Sequence, residues 1–273
     1  AAQDPEDPVA LQGLASIALE DGELDKAKEL LTNVVDAEPD NMLAWADRAR
    51  ANEQSGDILA AVEDLGRAIE LDPEYYWNRI DRAKLLIARG ELEEAREDLD
   101  RAVELDPGYF LAYVLRGQIH YRLERIPEAT ADFRKLVALR PDYTYAYAPL
   151  GACLYIEGSY ADARRAFNQA WEAQKEDTGL ALIVALCFKK EGREADARRF
   201  LNQLIPTMDR ASWQYEMARY YANPSNDFYI VTQVGKEKRP SGRYRMLFYL
   251  ASQHLLQNRR LSATSYFSEA VEV

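Results

Sequence analysis

One spacing constrains this chain more than any other feature. A small residue, a large apolar residue four places on and an apolar or small residue three beyond recur every 34 residues. The sets are Ala27/Leu31/Val34, Ala61/Leu65/Ala68, Ala95/Leu99/Ala102, Ala129/Phe133/Leu136 and Ala163/Phe167/Ala170. Four of the five run on to Pro39, Pro73, Pro107 and Pro141, each 12 residues after its alanine. Offsets of three and four share one helix face, and a fixed period of this length is the mark of a solenoid. Stacked repeats close each other's apolar flanks, so no single large core is required.

With position 1 at Pro8, repeats fall at 8–41, 42–75, 76–109, 110–143 and 144–177, after a tail at 1–7. Each reads as helix, turn, helix, turn. Gly22, Gly56, Gly90 and Gly158 share one place, a tight helix exit that needs positive φ. A sixth repeat, 178–209, is two residues short but keeps Ala185, Ala197 and Leu201. The seventh, 210–243, is degenerate: Asn223 to Asp227 reads as a break and Tyr229 stands where a small residue belongs. Residues 236–242 read as a charged, mobile linker. The eighth, 244–273, returns to pattern with Ala251, Ala263, Phe267 and Ala270. No polar capping helix follows it, so either the sequence stops short of one or Leu250, Tyr266 and Phe267 are covered by something else.

Composition excludes several classes. Of 273 residues, 34 are basic and 46 acidic, a net of −12. Phosphate backbones and anionic bilayers want the opposite sign, so nucleic acid is not a partner of choice. No apolar run is long enough to span a bilayer. Cys153 and Cys187 are 34 apart, at one place in successive repeats. That puts them about a helix-packing distance from each other, beyond the reach of a disulfide, and reads as two small core residues. The start, Ala1 to Pro8, carries no initiator Met and no apolar run, and reads as a processed start. The compartment stays open: periplasmic or envelope-associated if a signal was removed upstream of residue 1, cytoplasmic otherwise.

These residues resemble the tetratricopeptide repeat family, whose pattern is W-x2-L-G-x2-Y, then A-x3-F, then P. Trp45 holds the tryptophan place, with Tyr113 and Tyr147 substituting. Gly117 and Gly151 hold the glycine place, with Ala15, Ala49, Ala83, Ala185 and Ala251 as the small alternative. The resemblance runs over about 8–273. It implies an all-α, right-handed superhelix of about eight antiparallel helix pairs, whose first helices line a concave groove for a peptide or helix. The last repeat more loosely resembles bacterial envelope lipoproteins that carry such repeats.

A charge pattern is superimposed on the repeat. Position 7 is arginine in three repeats, Arg48, Arg82 and Arg116, and position 23 is aspartate in the same three, Asp64, Asp98 and Asp132. Where position 7 is apolar, position 23 is not aspartate: Leu14 with Leu30, Leu150 with Ala166, Val184 with Phe200 and Leu250 with Tyr266. Joint presence and absence predict half-buried arginine–carboxylate pairs, each within one hairpin, where the planar guanidinium matches a carboxylate in bidentate fashion.

Chemistry is hard to find. His120 and His254 both occupy position 11, four repeats apart, and read as packed core residues. None of the short catalytic, phosphate-binding or zinc motifs occurs. The expectation is no enzyme, no metal and no cofactor.

The family places positions 2, 5, 9 and 12 of each first helix in the groove. On this chain they give a stripe of Trp77, Ile80, Tyr121, Tyr145 and Tyr155, with Arg50, Lys84 and Gln118 as polar partners, and Leu182, Leu186 and Lys189 in repeat six. Aromatic anchors of this kind typify binding hot spots. The lysine and asparagine with which chaperone-binding members grip a carboxylate tail are replaced by Gln12 and Ser16, and Ala46 offers no amide. The reading is a non-catalytic adaptor that binds a protein or peptide in the groove. The alternative is an assembly subunit that self-associates through its C-terminal repeat.

Overall fold

The computed structural model describes residues 7–272. Sixteen α-helices account for most of them, with no β-strand among the described residues. The chain divides into two compact units, the first ending at Arg140 and the second beginning at Pro141.

The first unit holds α1 (Pro8–Glu20), α2 (Leu24–Ala37), α3 (Met42–Gln54), α4 (Ile58–Leu71), α5 (Tyr76–Arg89), α6 (Leu92–Leu105), α7 (Phe110–Arg122) and α8 (Ile126–Leu139). They pack as four successive pairs, and each pair also contacts the next. Of the expected tail, residues 1–6 lie outside the described residues; Asp7 caps α1, its Oδ1 accepting from the Val9 N–H at 3.2 Å. The small residues are where close approach demands them: Ala27, Ala61, Ala95 and Ala129 are all fully buried. Gly117 on α7 lies under the Phe133 ring of α8, where an added Cβ would come within 3.0 Å of Cε1.

Two local devices repeat. At Gly90 the chain leaves α5 at φ +85°, and the next N–H, of Glu91, reaches back to the Leu86 carbonyl at 2.9 Å. The fourth repeat forces Glu124 into that same left-handed conformation at φ +58°, which costs a side chain bearing a Cβ. The position-4 aromatic ties down the preceding closing turn. Trp45 Nε1 donates to the Pro39 carbonyl at 2.9 Å, and Tyr113 Oη to that of Pro107 at 3.2 Å.

The second unit holds α9 (Tyr147–Ile156), α10 (Tyr160–Ala173), α11 (Thr178–Lys190), α12 (Glu194–Leu204), α13 (Trp213–Ala222), α14 (Asp227–Lys236), α15 (Pro240–Leu256) and α16 (Arg260–Glu272). The stretch that reads as a break, 223–227, caps a helix: Asn226 Oδ1 accepts from the Tyr229 N–H at 2.9 Å. The linker expected at 236–242 is mostly helical. α15 starts at Pro240, a residue suited to a first helical turn, and the Glu237 carboxylate accepts from the Arg239 N–H at 3.0 Å just before it. Only 237–239 lie between α14 and α15. Gly242, inside the first turn of α15, leaves room for the Glu237 side chain: a Cβ there would meet Glu237 Cδ at 2.9 Å.

Aromatic residues build the second unit's core. Tyr221 of α13 and Tyr249 of α15 are buried with Leu182 and Leu186 of α11 in one cluster. Tyr221 Oη donates to the Tyr249 carbonyl at 2.7 Å, and Tyr249 Oη to the Gly179 carbonyl at 3.2 Å. The first helix of the last repeat thus reaches back across 70 residues to the first helix of repeat six.

Candidate functional site

The three arginine–aspartate pairs are bidentate. Arg48 donates from Nε and Nη2 to Asp64 at 2.9 and 2.7 Å, Arg82 to Asp98 at 2.7 and 2.7 Å, and Arg116 to Asp132 at 2.9 and 2.6 Å. The aspartates are buried while the arginines keep some exposure. The Asp98 carboxylate accordingly holds the Arg82 guanidinium above its ordinary pKa.

The remaining arginine nitrogen extends the pairing to the previous repeat. Nη1 of Arg48 donates to Thr32 Oγ1 at 3.4 Å and that of Arg116 to Asp100 Oδ1 at 2.9 Å. Both acceptors sit at position 25. In between, position 25 is Gly66, whose added Cβ would lie 3.6 Å from Arg82 Nη1. There Arg79, at the place where other repeats carry Trp45 or Tyr113, donates to Asp98 Oδ1 at 3.4 Å instead. These ties between repeats escape a search for pairs within one hairpin, because the position-25 residues share no residue type.

On the first-helix face of the first unit, Trp77 begins the second residue of α5 and stays 38 % exposed. It stacks on Tyr76 at 5.1 Å between ring centres and meets Tyr109 edge-on at 4.7 Å. Beside it opens a cleft of about 360 Å³ between α3 and α5, with Leu43 and Trp77 at its walls and Asp47, Arg50, Glu53 and Asp81 around it. Arg50 donates to Asp47 at 3.2 Å and Lys84 to Asp81 at 2.8 Å. Gln118 and Tyr121, on α7, are exposed. Gln12 Nε2 donates to Asp47 Oδ2 at 3.2 Å, which fixes that carboxylate from α1.

Ile80 does not belong to this face. It is fully buried among Ala83, Leu86, Ala112 and Ile119. Position 5 turns toward the next pair, and a β-branched residue there fills the seam between repeats. In the second unit Tyr145 is 70 % exposed, whereas Tyr155 packs against the aromatic core and lies edge-on to Tyr160 at 5.3 Å. Burial raises the Tyr155 phenol well above its usual pKa. Leu182, Leu186 and Lys189, expected in the groove, are buried. Lys189 bonds Glu194 at 2.9 Å and lies over the Tyr221 ring at 5.4 Å. The bulk of Tyr221 and Tyr249 closes that face of α11, a consequence invisible in a repeat whose aromatics lie far apart in the chain.

Both histidines are buried, and burial lowers both pKa values. His120 Nε2 stands 3.8 Å from Asp132 and His254 Nε2 3.7 Å from Asp227. Cys153 and Cys187 are buried, and burial pushes the Cys187 thiol up to about 12. Among the described residues no group of three His, Cys, Asp or Glu is placed to hold a metal, and no described helix is long and apolar enough to cross a membrane. At the C-terminal repeat, Leu250 is fully buried and Tyr266 and Phe267 are half-buried, packed on α15. The exposed apolar residues of α16 are Leu261 and Val271, 91 % and 85 % exposed.

The sequence profile of the tetratricopeptide repeat matches residues 13–76 and 80–144. Comparison with curated proteins returns no match. Solved structures with similar folds include MamA from Desulfovibrio magneticus RS-1, 18 % identical, with 64 % of this chain and 99 % of that one covered at a TM-score of 0.57. Pseudomonas aeruginosa PilF is 19 % identical over 78 % of this chain and 97 % of its own, at 0.55. YrrB, described as a repeat protein of this type with an unusual peptide-binding site, is 15 % identical over 76 % and 98 %, at 0.58. At these identities the likeness establishes the fold, and the profile match identifies residues 13–76 and 80–144 as tetratricopeptide repeats.

Proposed function

We propose that this protein is a non-catalytic adaptor that holds a segment of another protein against the first-helix face of its first unit. The observation that carries this reading is Trp77. A tryptophan braced by two tyrosines yet more than a third exposed, at the wall of an open cleft, is built to offer its ring to something else. Arg50, Lys84, Gln118 and Tyr121 are exposed on α3, α5 and α7 and supply polar contacts. YrrB's peptide-binding site supports the same use of the fold.

The test is affinity capture from the source cells with wild-type protein and with Trp77→Ala, followed by direct affinity measurement on the captured polypeptides. Partners held equally by both proteins would overturn the reading. A second reading, self-association through the C-terminal repeat, is favoured by the exposure of Leu261 and Val271 on α16. Light scattering over a wide concentration range tests it: Leu261→Ser should dissociate any oligomer without affecting partner capture.

A further inference from the structure

We infer that the segment held in the α3–α5 cleft is cationic: an extended stretch whose arginine or lysine side chain seats between Trp77 and the carboxylates of Glu53 and Asp81, beside an apolar residue packed on Leu43. The inference rests on the adaptor reading and specifies the chemistry of its partner.

Charge sets the argument. Residues 1–140 hold 17 basic and 31 acidic residues, a net of −14, while 141–273 hold 17 and 15, a net of +2. The acidity of the chain therefore belongs to the unit that carries the cleft. At the cleft itself stand three carboxylates, Asp47, Glu53 and Asp81, and one arginine, Arg50. Arg50 is tied to Asp47, and Lys84, next along α5, is tied to Asp81. Each of these cations answers a carboxylate of its own helix, and Glu53 projects from the same face of α3, one turn beyond Arg50. An acidic segment would meet this surplus unfavourably, and a neutral one would leave it unused.

The aromatic wall points the same way. The protein already seats guanidinium groups over first-helix aromatics: Arg48 lies 4.7 Å from the Trp45 ring centre and Arg116 5.6 Å from that of Tyr113. Trp77 presents the same chemistry outward. Its indole is the strongest cation–π partner among side chains, and carboxylates flank it. Leu43, 54 % exposed, gives the apolar stem of the segment a surface to cover.

The test uses fluorescein-labelled, blocked peptides of about 12 residues with one leucine and alanine framework, differing only in whether four sites carry arginine, glutamine or glutamate. Binding to the full chain is read by anisotropy. The arginine peptide should bind roughly ten-fold more tightly than the glutamine peptide, the sum expected of an exposed cation–π contact and two surface ion pairs. Glu53→Gln/Asp81→Asn should abolish that preference while leaving the glutamine peptide unaffected. Glu63→Gln/Glu97→Gln, on the second helices, should change nothing. Equal affinity for the three peptides, or a preference that survives the cleft variant, overturns the cationic assignment. Loss of all peptide binding in wild type, or binding indifferent to Trp77→Ala, overturns the adaptor reading at this cleft instead.

Discussion

The Phe133 ring lies so close over Gly117 that a methyl group added there would sit 3.0 Å from the ring. Gly151 and Phe167 repeat the arrangement at 2.9 Å in the next hairpin. In the first three repeats the same two places hold Ala15 with Leu31, Ala49 with Leu65 and Ala83 with Leu99. The position that faces a phenylalanine ring lacks a methyl, and the position that faces a leucine keeps one. Gly117→Ala should therefore cost about 1–3 kcal/mol from overpacking, despite the better helix propensity of alanine. Gly117→Ala/Phe133→Leu, which copies the earlier repeats, should recover much of that loss. Urea melts of the two singles and the double give the coupling directly; additive effects would refute the exchange.

Buried Asp132 accepts from both Nε and Nη2 of Arg116, so removing it leaves that half-buried guanidinium with Asp100 as its remaining carboxylate. Asp132→Ala should cost about 3–5 kcal/mol. Arg116→Leu/Asp132→Ala, which reproduces the Leu150 and Ala166 of the following repeat, should cost far less, because an apolar pair needs no partner. Thermal denaturation distinguishes the two. A double variant as unstable as the single would mean that the pair does more than satisfy itself.

Glu124 occupies a left-handed turn that glycine fills in other repeats. Glu124→Gly should raise stability by about 1 kcal/mol, the strain relieved outweighing the entropy glycine adds to the unfolded chain. A neutral or lower melting temperature would show that the turn is relaxed by its surroundings.

Stability should fall as pH drops below about 6.5, the value of a histidine in an unfolded chain. Burial depresses both histidines in the folded protein. Between the unfolded value and the lower folded values, the unfolded chain binds more protons, so acid favours unfolding. Around His120 stand Asp132, Arg116, Asp100 and Glu128, and around His254 stand Asp227 and Arg259. The carboxylates moderate the shift without reversing it. His120→Phe/His254→Phe should flatten the melting temperature between pH 7 and 5, as read by calorimetry.

The regular part of the fold is legible from the chain because each repeat states it again. The alanines, the closing prolines and the Arg48–Asp64 type of pair sit at fixed offsets, so a misreading in one repeat is corrected by the next. Legibility ends where contacts stop being periodic. Tyr249 reaching Gly179 spans 70 residues at no repeat offset, and it is this contact, with Tyr221, that buries Leu182 and Lys189. Gly66 beside Arg82 is legible only once the neighbouring acceptors Thr32 and Asp100 are seen to share its place. Ile80 shows the limit at a single side chain: its position number assigns it to the groove, and its packing against Ala112 and Ile119 assigns it to the core.

Trp77 and Ile80 lie three residues apart on α5 and should answer substitution in opposite ways. Ile80 is wholly buried, so Ile80→Ala removes packed methyl groups and should cost about 2–5 kcal/mol of stability. Its effect on partner affinity, measured where the variant is folded, should be small. Trp77 presents much of its ring to solvent, and truncation loses little burial apart from its contacts with Tyr76 and Tyr109. Trp77→Ala should therefore shift the melting temperature modestly while costing about 2 kcal/mol or more in binding if the ring anchors the partner. Calorimetric melting and titration on the same two proteins separate the roles. The assignment fails if Trp77→Ala unfolds the repeat as Ile80→Ala does, or if its affinity matches wild type.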